Sequence, residues 1–493
     1  MDLAGTGTLI LTLCICVIFI SAMKTMHTRG KLPLGPTPLP ILGNLLQLMT
    51  NNLFNSLLKL KEQYGPVFTV YFGSRPVVVL CDYEAVKEAL IDHAEEFSGR
   101  GEIPILDKNI KGFGVVFSNG ERWKQLRRFS LQTLRNFGMG KRSIEERIQE
   151  EAQFLVEEFR KTKQLPCDPT FFFGRSVSNV ICSVVFGRRF DYEDEKFVSL
   201  LSLINESTRT LASVWVQLYN IFPKLLVHLP GAHQRVFAIF NELRNFVLER
   251  VKINQMSLDP SCPKDFIDCF LLQMEQERKN QATEFHTENL LITTMNLFFA
   301  GTETVSITLR YGCLIFLKYP EVEEKVHEEI DRMIGQNRMP TIDDRRRMPY
   351  TDAVIHEIQR YSNIIPMNLP HSVTRDTQFR GHTIPKGTTV YPVLGSVLWD
   401  PQLFPNPERF DPGHFLDENG SIKKTEAFLP FSTGKRVCLG ENLARMELFL
   451  FFTSILQNFS LKSLIDPREI DITPKETGLG NRPHPYQFCL IPR

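Results

Sequence analysis

Residues 288–318 carry about 30 positions of almost unbroken helical pattern, with Thr287 placed to cap the start. At 1.5 Å per residue such a helix is roughly 45 Å long, enough to cross a large domain. Whatever fold this chain adopts has to be built around it. Gly301 sits near its middle, where glycine costs up to about 1 kcal/mol against alanine, so a packing or functional reason is expected there. Further helical patterns cover 145–161, 231–255, 265–279, 320–334 and 350–363. Near the front, Val67–Phe72 and the run 76–80 bracket Gly73-Ser-Arg-Pro, which predicts a hairpin. Short apolar and Gly/Pro-rich pieces at 371–397 and near the C-terminus predict small sheets. The expected fold is mainly α with a small β-sheet region. Hydrophobic residues at 43% and charged residues at 23% suffice for one large core. No linker-like stretch or repeat interrupts 45–493, which reads as one catalytic domain.

Residues 3–23 contain no charge and are long enough, as a helix, to span a bilayer. Lys24, His27, Arg29 and Lys31 follow at once, which predicts a transmembrane signal anchor with the bulk of the chain on the cytosolic side. A cleaved secretory signal is the competing reading; the basic residues flank the wrong end for it, and no A-x-A cleavage site is evident. The sequons at Asn205, Asn419 and Asn458 would then go unused. Residues 24–44 form a basic and proline-rich linker, too rich in Pro and Gly for a helix or central strand. The apolar run 214–230 reads either as core or as a surface dipping into the bilayer, where Trp215 and Tyr219 would suit the interface. The formal net charge of +1 gives no global attraction to nucleic acid.

The chain has 10 cysteines without a CxxC pair, which argues against a zinc site or a dense disulfide scaffold. Cys438 stands apart. It lies in Phe431-Ser-Thr-Gly434-Lys-Arg436-Val-Cys438-Leu-Gly440, immediately before a strongly helical run starting at Glu441. A thiol at a helix N-terminus is expected to have a lowered pKa, because free N–H groups and the helix dipole favour the anion. Gly434 and Gly440 would let the backbone approach a flat cofactor, Phe431 would shield the sulfur, and Arg436 would reach a cofactor carboxylate. In the long helix, Ala300-Gly-Thr-Glu303-Thr304 sets an acid beside a hydroxyl, a pattern suited to proton delivery. On its own, Thr304 could equally bond back to a helix carbonyl. Glu357-Ile-Gln-Arg360 puts opposite charges on one helical face; the preceding His356 makes it one residue short of HExxH, and Arg360 in place of the second His rejects zinc.

The complete F-x-x-G-x-R-x-C-x-G stretch resembles the haem-binding loop of cytochromes P-450, and A-G-x-E-T resembles the oxygen-binding motif of that family. Glu357–Arg360 with Pro407-Glu-Arg409-Phe resembles its E-x-x-R and P-E-R-F elements, which implies a buried Glu357–Arg360–Arg409 network. Trp123-Lys-Gln-Leu-Arg127 resembles its W-x-x-x-R element. The resemblance runs from the anchor to the C-terminus and is closest to the vertebrate microsomal members of the second family. It implies haem b on the Cys438 thiolate, held by Arg100, Trp123, Arg127, Ala300, His371, Phe431 and Arg436, with Glu303 and Thr304 catalytic. The implied activity is insertion of one oxygen atom of O2 into lipophilic xenobiotics, fatty acids or steroids. The implied electron donor is a membrane-bound NADPH-dependent reductase, with cytochrome b5 as a second. No Gly-x-Gly-x-x-Gly in a strand–turn–helix context is present, so the electrons come from another protein. Lys124, Arg127, Arg128, Arg135, Lys141 and Arg142 form a basic cluster suited to an acidic partner. The pocket positions carried over are Val116, Phe117, Phe298, Phe299, Ala300, Ile365, Met367, Leu369 and Leu479. The endoplasmic reticulum membrane is the implied location. A haem-thiolate isomerase, a peroxide-driven enzyme and a non-catalytic haem sensor are the rival readings; the intact Glu303–Thr304 pair argues for the monooxygenase.

Overall fold

The structure, a computed structural model, describes residues 31–48, 52–139, 142–474, 476–477 and 480–493, together with Thr12. Apart from Thr12, the expected anchor at 3–23 lies outside the described residues, as do residues 24–30 of the linker, Lys141 and Leu479. The helices that position the site are α1 (Gly120–Asn136), α2 (Arg142–Lys161), α3 (Thr170–Val185), α4 (Glu195–Leu211), α5 (Val214–Ile221), α6 (Ala232–Ser257), α7 (Thr287–Lys318), α8 (Pro349–Ser362) and α9 (Glu441–Asn458). Five strands form the larger sheet: β1 (Val67–Phe72), β2 (Arg75–Leu80), β3 (Gly99–Arg100), β4 (His371–Ser372) and β5 (Thr389–Pro392). Their order is β1-β2-β5-β4-β3, with β2 and β5 parallel. Near the C-terminus, β6 (Phe459–Ser463) pairs with β9 (Phe488–Pro492), and β7 (Glu476–Thr477) pairs with β8 (Asn481–Arg482).

The long helix α7 runs through the largest apolar cluster. Its first residue is Thr287 and the capping position falls on His286, whose side chain makes no cap bond; the expected cap at Thr287 is thus one residue off. Packing accounts for Gly301. A Cβ there would stand 3.0 Å from Cγ1 of Ile181 on α3. Beside it, Ser178 and Thr302 share a buried hydrogen bond of 2.8 Å that joins α3 to α7. Further along, a Cβ at Gly312 would lie 2.1 Å from Phe452 of α9. Glycine at these two points lets three helices approach closely, at the expense of intrinsic helix propensity.

The hairpin forms as expected, with Val67 opposite Leu80 and Phe72 opposite Arg75. Its two-residue connection needs a positive φ at Gly73, which has +64°. In the run 214–230, Val216, Tyr219 and Leu226 are core residues, whereas Val214, Trp215, Leu225 and Leu229 face outward. The run is therefore part core and part exposed surface, and Tyr219 belongs to the core part.

Below the thiol loop, Arg360 and Glu357 of α8 are fully buried and form a two-pronged pair, with both N–H···O distances 2.7 Å. The remaining guanidinium hydrogens go to the carbonyls of Leu398, Pro407 and Arg409 at 3.0, 2.9 and 3.3 Å. The expected triad needs correcting. Arg409 is an exposed residue that contributes only its main-chain oxygen; the third side chain is His414, whose Nδ1 lies 3.2 Å from both Glu357 oxygens. Arg360→Leu should destabilise the folded chain by about 3–5 kcal/mol, because it strands a buried carboxylate. Arg409→Ala should stay within about 0.5 kcal/mol, because the carbonyl it uses survives. Denaturant unfolding of the two variants checks this, and comparable losses would restore the Arg409 side chain to the network.

Candidate active site

The loop carrying Cys438 is held by its own backbone. The Cys438 amide donates to the Phe431 carbonyl at 3.0 Å, and Gly434 adopts φ +70°. A Cβ at Gly434 would sit 2.0 Å from the Leu90 carbonyl oxygen, so the close approach of the neighbouring backbone already requires glycine here. At Gly440 an added Cβ would meet nothing within 4 Å. The Phe431 ring lies under the Arg445 guanidinium, 5.0 Å from its centroid. Arg445 in turn reaches His356 on α8 at 3.3 Å, which ties the loop to the helix bearing the Glu357–Arg360 pair.

Cys438 carries free surface, yet protein surrounds the sulfur closely, as on the wall of an internal cleft. The expectation of a lowered thiol pKa is reversed. Burial pushes it up, against the backbone N–H groups of Gly440 and Glu441 and the Arg127 charge, which act in the expected direction. The chain alone does not stabilise a free thiolate here; a bonded metal cation would.

Three guanidiniums converge beside the loop. Register does part of the work: Arg100 on β3 faces His371 on β4. Arg436 donates Nε to Ser98 O at 2.7 Å and Nη2 to Ser118 O at 2.8 Å, and stacks 3.9 Å above the Trp123 ring. Arg127, one turn along α1 from Trp123, donates to Val437 O at 2.7 Å. None of Arg100, Arg127 and Arg436 has a carboxylate partner among the described residues; their bonds go to neutral oxygens. Burial, then the Arg127 charge, pulls Arg100 down to about 9; burial, then Arg100 and Arg127, pulls Arg436 down to about 8. His371 is buried, bonds through Nδ1 to Phe97 O at 2.7 Å, and leaves Nε2 without a partner among the described residues. Burial, then Arg100, pushes its pKa down to about 3, so it is neutral. The unforeseen member is Asn119, just before α1. Its Oδ1 accepts from the Arg100 amide at 2.6 Å and from Arg436 Nη2 at 3.2 Å. Such a surplus of buried positive charge fits a group bringing two carboxylates, and the nearby sulfur fits a metal at its centre.

Across from this cluster lies an internal cavity of about 270 Å³. Val116, Phe117, Phe298, Phe299, Ala300, Ile365 and Leu369 line it, as do Glu303 and Thr304. Met367 does not. The backbone turns at Asn368, with φ +56°, and Met367 packs beneath the sheet with Leu57, Phe68 and Val393. Much of the wall comes from α4 and α6, through residues such as Leu200, Ile204, Leu211, Phe240 and Leu243, which no motif marks. Thr304 donates its hydroxyl to Ala300 O at 2.9 Å, within its own helix. Glu303 forms an ion pair of 2.5 Å with Arg482, a residue no short pattern pointed to. Burial raises the Glu303 pKa against the pull of Arg482 and Arg310.

On the outer side of α1, Trp123, Lys124, Arg127, Arg128, Arg135 and Lys435 line an open groove that also contains Glu95. Lys124 is paired with Glu121 and Lys435 with Glu95, while Arg142 lies on α2, 3.6 Å from Glu146.

The sequence profile of Cytochrome P450 matches residues 33–490. Cytochrome P450 2G1 of Oryctolagus cuniculus is 61% identical over 494 aligned residues, spanning 100% of both chains. Cytochrome P450 2C23 of Rattus norvegicus is 56% identical over the same span, 100% of both chains. Cytochrome P450 2A13 of Homo sapiens is 57% identical across 99% of this chain and 100% of its own. With a cysteine loop, a guanidinium cluster and an apolar cavity against one helix, and with relatives matching end to end, this chain belongs to the cytochrome P450 family, as a haem-thiolate monooxygenase related to the second-family members.

Proposed function

We propose that the Cys438 sulfur would hold the haem iron, that Arg100, Arg127, Arg436, Trp123 and His371 would hold the haem carboxylates, and that Glu303 and Thr304 handle protons on the substrate side. The observation that carries this reading is the trio of guanidiniums, Arg436 buried and Arg100 and Arg127 half-buried, without carboxylate partners among the described residues, beside a loop that presents one cysteine. When bound, the haem supplies dioxygen activation and oxygen transfer, with two electrons from NADPH through the reductase. The chain's residues do the rest. Phe431 and the loop backbone limit water at the sulfur. The Thr304 hydroxyl, now donating to Ala300 O, can turn to donate into the cavity, and its proton is replaced from Glu303 through water. The aliphatic and aromatic wall excludes bulk water and holds a lipophilic substrate by shape. One oxygen atom enters a C–H bond and the other leaves as water.

The partners are an NADPH-dependent P450 reductase and cytochrome b5. The basic groove along α1 supports an acidic docking face there, because it opens outward directly behind Arg127. Association with the endoplasmic reticulum membrane follows from the relatives. We further propose the residue 3–23 anchor, the 24–44 linker and a cytosolic 45–493 catalytic domain. The outward Leu34, Leu39, Ile41, Trp215 and Leu225 support a membrane-facing side, since Ile41 and Ile221 both adjoin the Gly73 turn.

Two outcomes test the assignment. Thr304→Ala should keep consuming O2 with NADPH and reductase while product falls at least about tenfold, the low end for a lost proton donor. Product formed only with added peroxide, in the natural chain, would instead favour a peroxide-driven enzyme. Arg127→Leu should release haem to a scavenging apoprotein on the order of tenfold faster, as expected for one lost charge-assisted hydrogen bond. Unchanged release would remove Arg127 from the carboxylate contacts.

A further inference from the structure

The cavity wall is mostly apolar, with Ser207, Thr208, Asn296 and Thr304 as its uncharged polar members. Among the described residues, Glu303 of α7 and Arg482 of β8 are its only charged lining residues, and they are bonded to each other. The same guanidinium donates Nη1 to Asn205 Oδ1 at 3.1 Å and Nη2 to Thr208 Oγ1, both on α4. One side chain thus joins α4, α7 and the C-terminal strand pair, segments separated by up to 277 positions in sequence. Placing a charged pair in an apolar wall costs desolvation energy that neither helix packing nor the sheet requires. Glu303 and Thr304 are adjacent on α7, so their side chains diverge by roughly 100° around the helix axis. Which way the carboxylate turns therefore decides whether it can serve the hydroxyl.

We propose that Arg482 is the positioning residue for Glu303, clamping the carboxylate against α4 so that it reaches Thr304 from one fixed direction. This rests on the reading of Glu303 as a proton-handling group. The charged groups facing Glu303 are Arg482 from the C-terminal pair and Arg310 from α7 itself; α4 presents the uncharged Asn205 and Thr208. Arg482 therefore also supplies the main cross-element charge that favours the ionised carboxylate. Its replacement by a neutral side chain should leave Glu303 turning freely and binding a proton more readily.

The test uses the full membrane-bound chain with haem and reductase, in Arg482→Met, Arg482→Lys, Glu303→Gln and the Arg482→Met/Glu303→Gln double variant. Each is first shown to carry haem by its visible absorbance. Two quantities are read: product formed per O2 consumed, and the infrared C=O stretch of a protonated carboxyl. Arg482→Met should lower the product ratio by about tenfold, comparable with Glu303→Gln, and Arg482→Lys should recover most of it. The double variant should be no worse than Glu303→Gln. A protonated-carboxyl band should appear or grow in Arg482→Met and be missing from the double variant. If adding Arg482→Met to Glu303→Gln brings the same further loss as Arg482→Met alone, Arg482 is a structural residue and the proposal is overturned, as it is by an unchanged infrared band. A loss in Glu303→Gln with none in Arg482→Met overturns the proposal alone. No loss in Glu303→Gln removes the proton role of Glu303, and the proposal with it.

Discussion

The close approach of α7 to its neighbours is the constraint on which everything else depends. Gly301 against Ile181 and Gly312 against Phe452 remove the side chains that would hold α3 and α9 away. Because α9 follows directly from the cysteine loop, its distance from α7 governs how the two faces of the site confront each other. Ala300, Glu303 and Thr304 lie on the same helix as these contacts, so the reactive face inherits its position from core packing. Overpacking at either glycine would propagate to the site, since interiors at native density transmit strain.

The second organising fact is electrostatic. Arg100, Arg127 and Arg436 repel one another in a place where water does not compensate them. Ser98, Ser118, Val437 and Asn119 hold the guanidiniums through neutral oxygens, which fixes geometry without neutralising charge. The same logic applies to the sulfur, where burial opposes the thiolate. Both features fit a pre-organised receptor: the fold bears unfavourable charge that a dianionic, metal-centred group relieves on binding. The Glu357–Arg360 pair is of the opposite kind, complete within the protein, and it supports the loop from behind through His356 and Arg445.

The parts of this arrangement that were legible in sequence are those written in short segments. The spacing from Phe431 to Gly440, Trp123 to Arg127 and Glu357 to Arg360 is set by one loop or one helical turn, so residue type and position travel together. The mainly helical fold was legible for the same reason. What was not legible depends on contacts between distant segments or on backbone atoms. Arg482 meets Glu303 across 179 positions, and Asn119 gains its role only where β3 and the cysteine loop converge. Arg409 acts through a carbonyl that any residue would supply. Met367 was carried over by position with Ile365 and Leu369, but its side chain packs beneath the sheet with Leu57, Phe68 and Val393, a contact between distant segments. Likewise the helix terminus beside Cys438 is written in the local sequence, whereas the burial that outweighs it comes from distant segments.

The most direct test of the central claim, a Cys438 thiolate on haem iron, is the absorbance difference spectrum of the dithionite-reduced protein with and without carbon monoxide, for the natural chain and Cys438→Ser. A strongly red-shifted Soret band in the natural chain, lost in the variant while the fold persists by circular dichroism, is the predicted result. A histidine-like band in the natural chain, or a red-shifted band that survives Cys438→Ser, would contradict the account.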